Sequence, residues 1–294
     1  MISYALSSTS VGGKMTPVLA DAFRRVKIKN LEIFIDEGYN TSDEYKDSRL
    51  LFEQEVKAGT IRPVSIHFPF WDPSSPDEEI RKQETQKIID SFHANAAILG
   101  PNATLHASRE PSLAEHPVRI DQICKTIEEI MPTIQKFGVS INIEYLPRTC
   151  VGNCVEELQT ITSRFDPENV GICMDVNHVM DKYNELPDII TTLSSRIKTV
   201  HISDYDGIDE LHWFPGQGLI DWPEVMRRLK QIKQDIYLIF ETKFQLGSPF
   251  SSWVGSHLPD PYYALRQIEK TCWFLENCEE ITQREKAFMI PGND

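Results

Sequence analysis

Eight short apolar runs recur along the chain at near-regular intervals, and this alternation limits the folds open to it more than any other feature. They are I-S-Y-A-L-S (2 to 7), L-E-I-F-I-D (31 to 36), V-S-I-H-F (64 to 68), A-T-L-H-A (103 to 107), V-S-I-N-I-E (139 to 144), V-G-I-C-M-D (170 to 175), K-T-V-H-I-S (198 to 203) and I-Y-L-I-F-E (236 to 241). Runs rich in Val, Ile and Phe, with little polar alternation, read as strands buried on both faces, the mark of a parallel sheet. Successive run ends lie 26 to 40 residues apart, enough for one helical crossover each.

The intervening segments carry the helical period. Between 117 and 137, Ile120, Ile123, Ile127, Ile130, Ile134 and Phe137 step by three and four, which gives one apolar face; Pro132 inside this stretch predicts a bend. Ile80, Ile88, Phe92 and Ala96 predict an amphipathic helix over 80–96, and Asp221 before W-P-E-V-M predicts an N-cap followed by an early proline.

At roughly 150 residues per domain, 294 residues would suggest two domains. Eight alternating units without a Pro/Gly/Ser-rich linker instead predict an α/β fold of one closed (β/α)8 TIM barrel over 1–294, with strands across 2–241. The stretch 242–294 is left for a Ser-rich loop, an eighth helix near 260–280 and a polar tail. A doubly wound sheet would want a glycine-rich first turn, and V-G-G-K has neither the G-x-G-x-x-G nor the Walker spacing; Gly12 and Gly13 read as loop residues.

Hydrophobic residues at 40% supply a large core, and a net charge of -14 argues against nucleic acid as a partner. The start lacks a basic n-region, and no apolar run reaches the roughly 18 residues of a membrane span. The six cysteines, at 124, 150, 154, 173, 272 and 278, form no C-x-x-C pair, so a reduced cytoplasmic protein is expected, with Cys150 and Cys154 structural. A homo-oligomer is left open.

In a barrel the chemistry stands at the carboxyl ends of the strands. Here those ends read H-F-P-F with His67, L-H-A-S with His106, I-E-Y-L-P with Glu144, M-D-V-N-H with Asp175 and His178, V-H-I-S-D with His201 and Asp204, and F-E-T-K with Glu241. With 44 Asp plus Glu and 8 His in the chain, composition alone would put such a group at one or two of eight ends; six carry one. Any single one reads as easily as a satisfied core residue. Gathered at one mouth, they cost several kcal/mol in unpaired or like charges unless a cation or substrate compensates them. Two glutamates, an aspartate and a histidine form a hard donor set suited to one divalent ion, Mn2+, Mg2+, Co2+ or Zn2+.

The order H-F-P-F, L-H-A-S, I-E-Y-L-P, M-D-V-N-H, V-H-I-S-D, F-P-G-Q-G-L-I-D-W, F-E-T-K resembles the xylose isomerase-like TIM barrel superfamily, in particular its sugar phosphate isomerase/epimerase branch. The resemblance implies a metal held by Glu144, Asp175, His201 and Glu241, and substrate binding by His178. In the ketose 3-epimerases of that branch an Arg commonly follows the strand-seven His by six residues; here that position is Gly207. The loop after strand seven is acidic, so a neutral polyol, sugar or glycoside is expected over a phosphorylated one.

The activity implied is metal-assisted proton abstraction next to a carbonyl, through an enediolate, with Glu144 and Glu241 as the proton-transferring groups. His67, His106, His178, Asp204 and His212 would bind substrate, and Trp71 and Trp213 would stack on the sugar. Phe68, Phe70, Phe214, Trp222 and Trp253 read as rim packing. A sugar-acid dehydratase uses the same base and metal. An endonuclease IV-like hydrolase, with three zinc ions held by histidines and carboxylates, is a further alternative; Glu210 there stands in for an aspartate, and the charge of -14 disfavours DNA.

Overall fold

The computed structural model describes residues 1–243 and 260–280. The eight runs form eight parallel strands: β1 (Ile2–Ser7), β2 (Asn30–Phe34), β3 (Arg62–His67), β4 (Asn102–Leu105), β5 (Ser140–Glu144), β6 (Val170–Asp175), β7 (Ile197–Ile202) and β8 (Ile236–Phe240). Each pairs with the next, and β1 also pairs with β8, from Ile2 opposite Ile236 to Leu6 opposite Phe240, so the sheet closes as a (β/α)8 barrel. Two register shifts interrupt the ladders, at Leu31/Glu32 in β2 and at Ile172/Cys173 in β6.

Among the described residues eight α-helices surround the barrel: α1 (Pro17–Arg25), α2 (Lys46–Lys57), α3 (Glu78–Ala94), α4 (His116–Phe137), α5 (Val155–Thr162), α6 (Leu186–Leu193), α7 (Trp222–Leu229) and α8 (Pro261–Asn277). In α4 the side chains of Ile123, Ile127, Ile130 and Ile134 are buried, and the helix runs unbroken through Pro132. The Asp221 carboxylate caps α7 by accepting from the Glu224 amide at 3.3 Å, with Pro223 in the first turn.

Over α3 the sequence reading needs correction. Ile88 and Phe92 are buried, but Ile80 lies exposed in the first turn and Ala96 falls beyond the helix end. The Asp77 side chain accepts from the Glu79 amide at 2.9 Å and from the Ile80 amide, starting the helix two residues before the first apolar position. The Ser-rich loop, Trp253 and the C-terminal tail lie outside the described residues. No helix among the described residues is long and apolar enough to cross a membrane.

Candidate active site

The barrel places the chemical residues of six different strands around one opening. His67, Glu144 and Asp175 end β3, β5 and β6; His106 and Glu241 directly follow β4 and β8; His201 is the penultimate residue of β7. They floor or flank a cavity of about 720 Å3 whose lining includes His67, His106, Glu144, His178, His212 and Glu241. Glu144, Asp175 and His201 are essentially sealed from solvent beneath it.

Three sets of donor atoms converge here: Glu144, Asp175, His201 and Glu241; His67, His106 and Glu144; and His178, Glu210 and His212. Within each set the donors lie within 4.8 Å of one another. In the first set, His201 Nδ1 stands 3.2 Å from Glu144 Oε1, 2.9 Å from Glu241 Oε2 and 3.7 Å from Asp175 Oδ2. Glu144 joins two sets, because its Oε2 lies 2.7 Å from His106 Nε2 and 3.2 Å from His67 Nε2.

The residues fit a cation. Glu144 Oε2 and Asp175 Oδ2 are buried and form no hydrogen bond, although histidine nitrogens stand within ion-pair reach. Such misaligned close approaches are what groups aimed at a shared centre, rather than at each other, produce. Three histidines have Nδ1 against a main-chain carbonyl: His67 on Phe68 at 2.7 Å, His178 on Tyr145 at 2.9 Å and His212 on Glu241 at 3.0 Å. An Nδ1–H donated there leaves the Nε2 lone pair facing inward, the orientation of a metal-ligating or hydroxyl-binding imidazole.

The electrostatics agree. Burial alone would raise the Glu144 carboxyl, but His106 and His201 hold it well below its ordinary value. Burial alone would neutralise His201; the Cys173 sulfur and the carboxylates of Glu32, Glu241 and Glu144 raise it well above 6.5. Without a cation the floor therefore favours a proton on His201 to balance its carboxylates, while burial pushes His106 towards its neutral form.

Three residues expected at the substrate stand elsewhere. Asp204 is fully buried below the loop after β7, where its carboxylate accepts from the Gly216 amide at 2.8 Å, the Ile220 amide at 3.2 Å and Trp222 Nε1 at 2.9 Å. G-Q-G-L-I-D-W thus wraps Asp204, and Gly218 is required because a Cβ would lie 2.1 Å from the Tyr205 carbonyl. Trp71 is buried against Phe68, ring centroids 5.8 Å apart, and Trp213 pairs its backbone with Asp204. Neither tryptophan is among the described residues that line the cavity. Phe70, 60% exposed and 4.7 Å from the His106 ring, lines the cavity together with Phe34 and Tyr45.

Three further residues gain a place. Arg148, at φ 52° in the loop after β5, lines the cavity and pairs with Glu210 at 2.7 Å; the sequence signal is the P-R following I-E-Y-L. Glu210 is 3.6 Å from His178 Nε2. Glu32, fully buried in β2, stands 3.1 Å from His201 Nε2; a lone glutamate inside an apolar run could have flagged it. Gly207 has φ +80°, and a Cβ there would meet the Tyr183 ring at 2.8 Å, so position 207 has no room for a side chain.

The chain is 29% identical over 188 residues, 61% of its own length, to an uncharacterized protein of Methanocaldococcus jannaschii, and spans 64% of that relative, less than two thirds. It is 23% identical over 197 residues, 61% of this chain and 69% of the relative, to a probable endonuclease 4 of Sulfurihydrogenibium. Among solved structures, a D-tagatose 3-epimerase-like protein aligns with a TM-score of 0.74 at 20% identity, covering 94% of this chain and 98% of the other; at that identity the likeness is one of fold. The family description of the xylose isomerase-like TIM barrel matches residues 21–255, most of the chain, and the chain belongs to that family.

Proposed function

We propose that this protein is a divalent-metal-dependent sugar isomerase or epimerase that moves a proton next to a carbonyl through an enediolate. The observation that carries this reading is the convergence of Glu144 and Glu241 on His201 Nδ1, at 3.2 and 2.9 Å, on the floor of a cavity large enough for a monosaccharide. Glu144, Asp175, His201 and Glu241 would hold the ion, which supplies Lewis acidity to the carbonyl oxygen. Glu144 and Glu241 are the groups with reach to move a proton at the adjacent carbon. Inversion uses both carboxylates, while aldose–ketose isomerisation needs one. His67, His106, His178 and His212 present ring nitrogens to hydroxyl groups, and Phe70 offers an apolar face to the ring. The D-tagatose 3-epimerase-like neighbour supports a carbohydrate substrate.

A neutral substrate is favoured because two of the cations lining the cavity are matched by carboxylates, Lys14 by Glu44 and Arg148 by Glu110, Asp209 and Glu210, and a third, Arg109, donates to the Phe70 carbonyl. Nucleic acid and membrane are not partners in this reading, and the cytoplasm suits the cysteines, which are all free.

The test is incubation in D2O with Mn2+ and a panel of ketoses, sugar acids and glycosides. Deuterium entering a ketose without loss of water is the expected result; loss of water from a sugar acid would select a dehydratase. A hydrolase is the second reading, favoured by the three neighbouring donor sets, two of which share Glu144, and by the endonuclease relative. It requires more than one ion per chain and cleavage of DNA carrying abasic sites.

A further inference from the structure

We infer that Glu32 is a positioning residue for the metal centre: from inside the barrel it holds the far edge of the His201 ring, so that Nδ1 is presented to the ion. The inference rests on the metal-dependent reading above. Glu32 is fully buried in β2. The register shift at Leu31/Glu32 re-aims its side chain. One carboxylate oxygen, Oε2, accepts from Thr104 Oγ1 at 3.2 Å, and that hydroxyl lies 3.4 Å from Ser65 Oγ. The other, Oε1, stands 3.1 Å from His201 Nε2.

These two facing atoms are out of hydrogen-bond alignment, yet both are buried and neither has a hydrogen-bond partner among the described residues, with the Cys173 sulfur another neighbour acting on the His201 ring. Glu32 belongs to none of the convergent donor sets among the described residues, so these two orphaned atoms face each other rather than a shared centre, and a small turn of the imidazole would align Nε2–H with Oε1. The same turn commits the proton to Nε2 and leaves the Nδ1 lone pair toward Glu144, Glu241 and Asp175. A carboxylate behind a ligating imidazole fixes its tautomer and strengthens it as a donor. His201 is the single imidazole of its four-donor set, so its orientation decides whether that set closes on an ion.

The experiment titrates metal-free wild type, Glu32→Gln, His201→Gln and the double variant with Zn2+ against a competing chelator, and records the unfolding temperature of each without metal. Gln keeps the size and an acceptor but removes the charge. Glu32→Gln is expected to weaken Zn2+ binding by roughly 10- to 100-fold while the metal-free protein unfolds near the wild-type temperature. In the His201→Gln background the same substitution is expected to change the affinity by less than about twofold, because coupled residues do not add. Unchanged Zn2+ affinity in a folded Glu32→Gln protein, or an equal loss in both backgrounds, would overturn the inference. Wild-type protein that takes up no Zn2+ would overturn the metal-dependent reading beneath it.

Discussion

His178 carries the clearest pH signature in the site. Burial alone would favour the neutral ring, but Asp175, Glu210 and Glu144 raise its pKa from 6.5 to about 10. Because the folded value lies above the unfolded one, its protonation stabilises the metal-free protein fully below pH 6.5, and that contribution is lost as the pH rises through about 10. A cation at the floor competes with those protons, so metal affinity moves the opposite way. Thermal unfolding of the metal-free protein is therefore expected to fall in temperature between pH 6.5 and 10, and His178→Gln to flatten that decline. An equal slope in the variant would mean that His178 is not the titrating group.

The loop between β7 and α7 shows how an element can use up a residue that looks functional. Asp204 collects the Gly216 and Ile220 amides and the Trp222 indole, all in a buried setting. Asp204→Ala would strand those donors, and each costs about 1–3 kcal/mol when left unmatched. Denaturant unfolding should show a loss of at least about 2 kcal/mol, with metal affinity kept in the protein that remains folded. Weakened metal binding at unchanged stability would return Asp204 to the ligand set. The sequence could not separate this carboxylate from the ligands, because V-H-I-S-D places it at a strand end like the others, and its partners are two backbone amides 12 and 16 residues ahead and an indole 18 ahead that no composition rule reveals. The strand ends themselves were legible for a physical reason: strands covered on both faces are continuous apolar runs, so a polar residue closing one stands out. Helix faces were less so, as exposed Ile80 shows. Glu32 carries no such signal because it lies within a run rather than at its end, and the sequence favours Trp71 over Phe70 only by ring size, which says nothing about which side of the β3–α3 loop faces the cavity.

At the scale of the whole molecule, a barrel that closes β1 on β8 turns eight separated motifs into one floor. The net charge of -14 then has a local counterpart, since three carboxylates of the floor, Glu144, Asp175 and Glu241, surround one imidazole. In the proposed function those carboxylates hold a cation and two of them move a proton. Solvent deuterium exchange into a turned-over ketose by metal-loaded Glu144→Gln and Glu241→Gln, with bound metal measured in the same samples, tests this most directly. The account predicts at least about a hundredfold loss of exchange in at least one variant while metal is still bound; full exchange in both variants would contradict it.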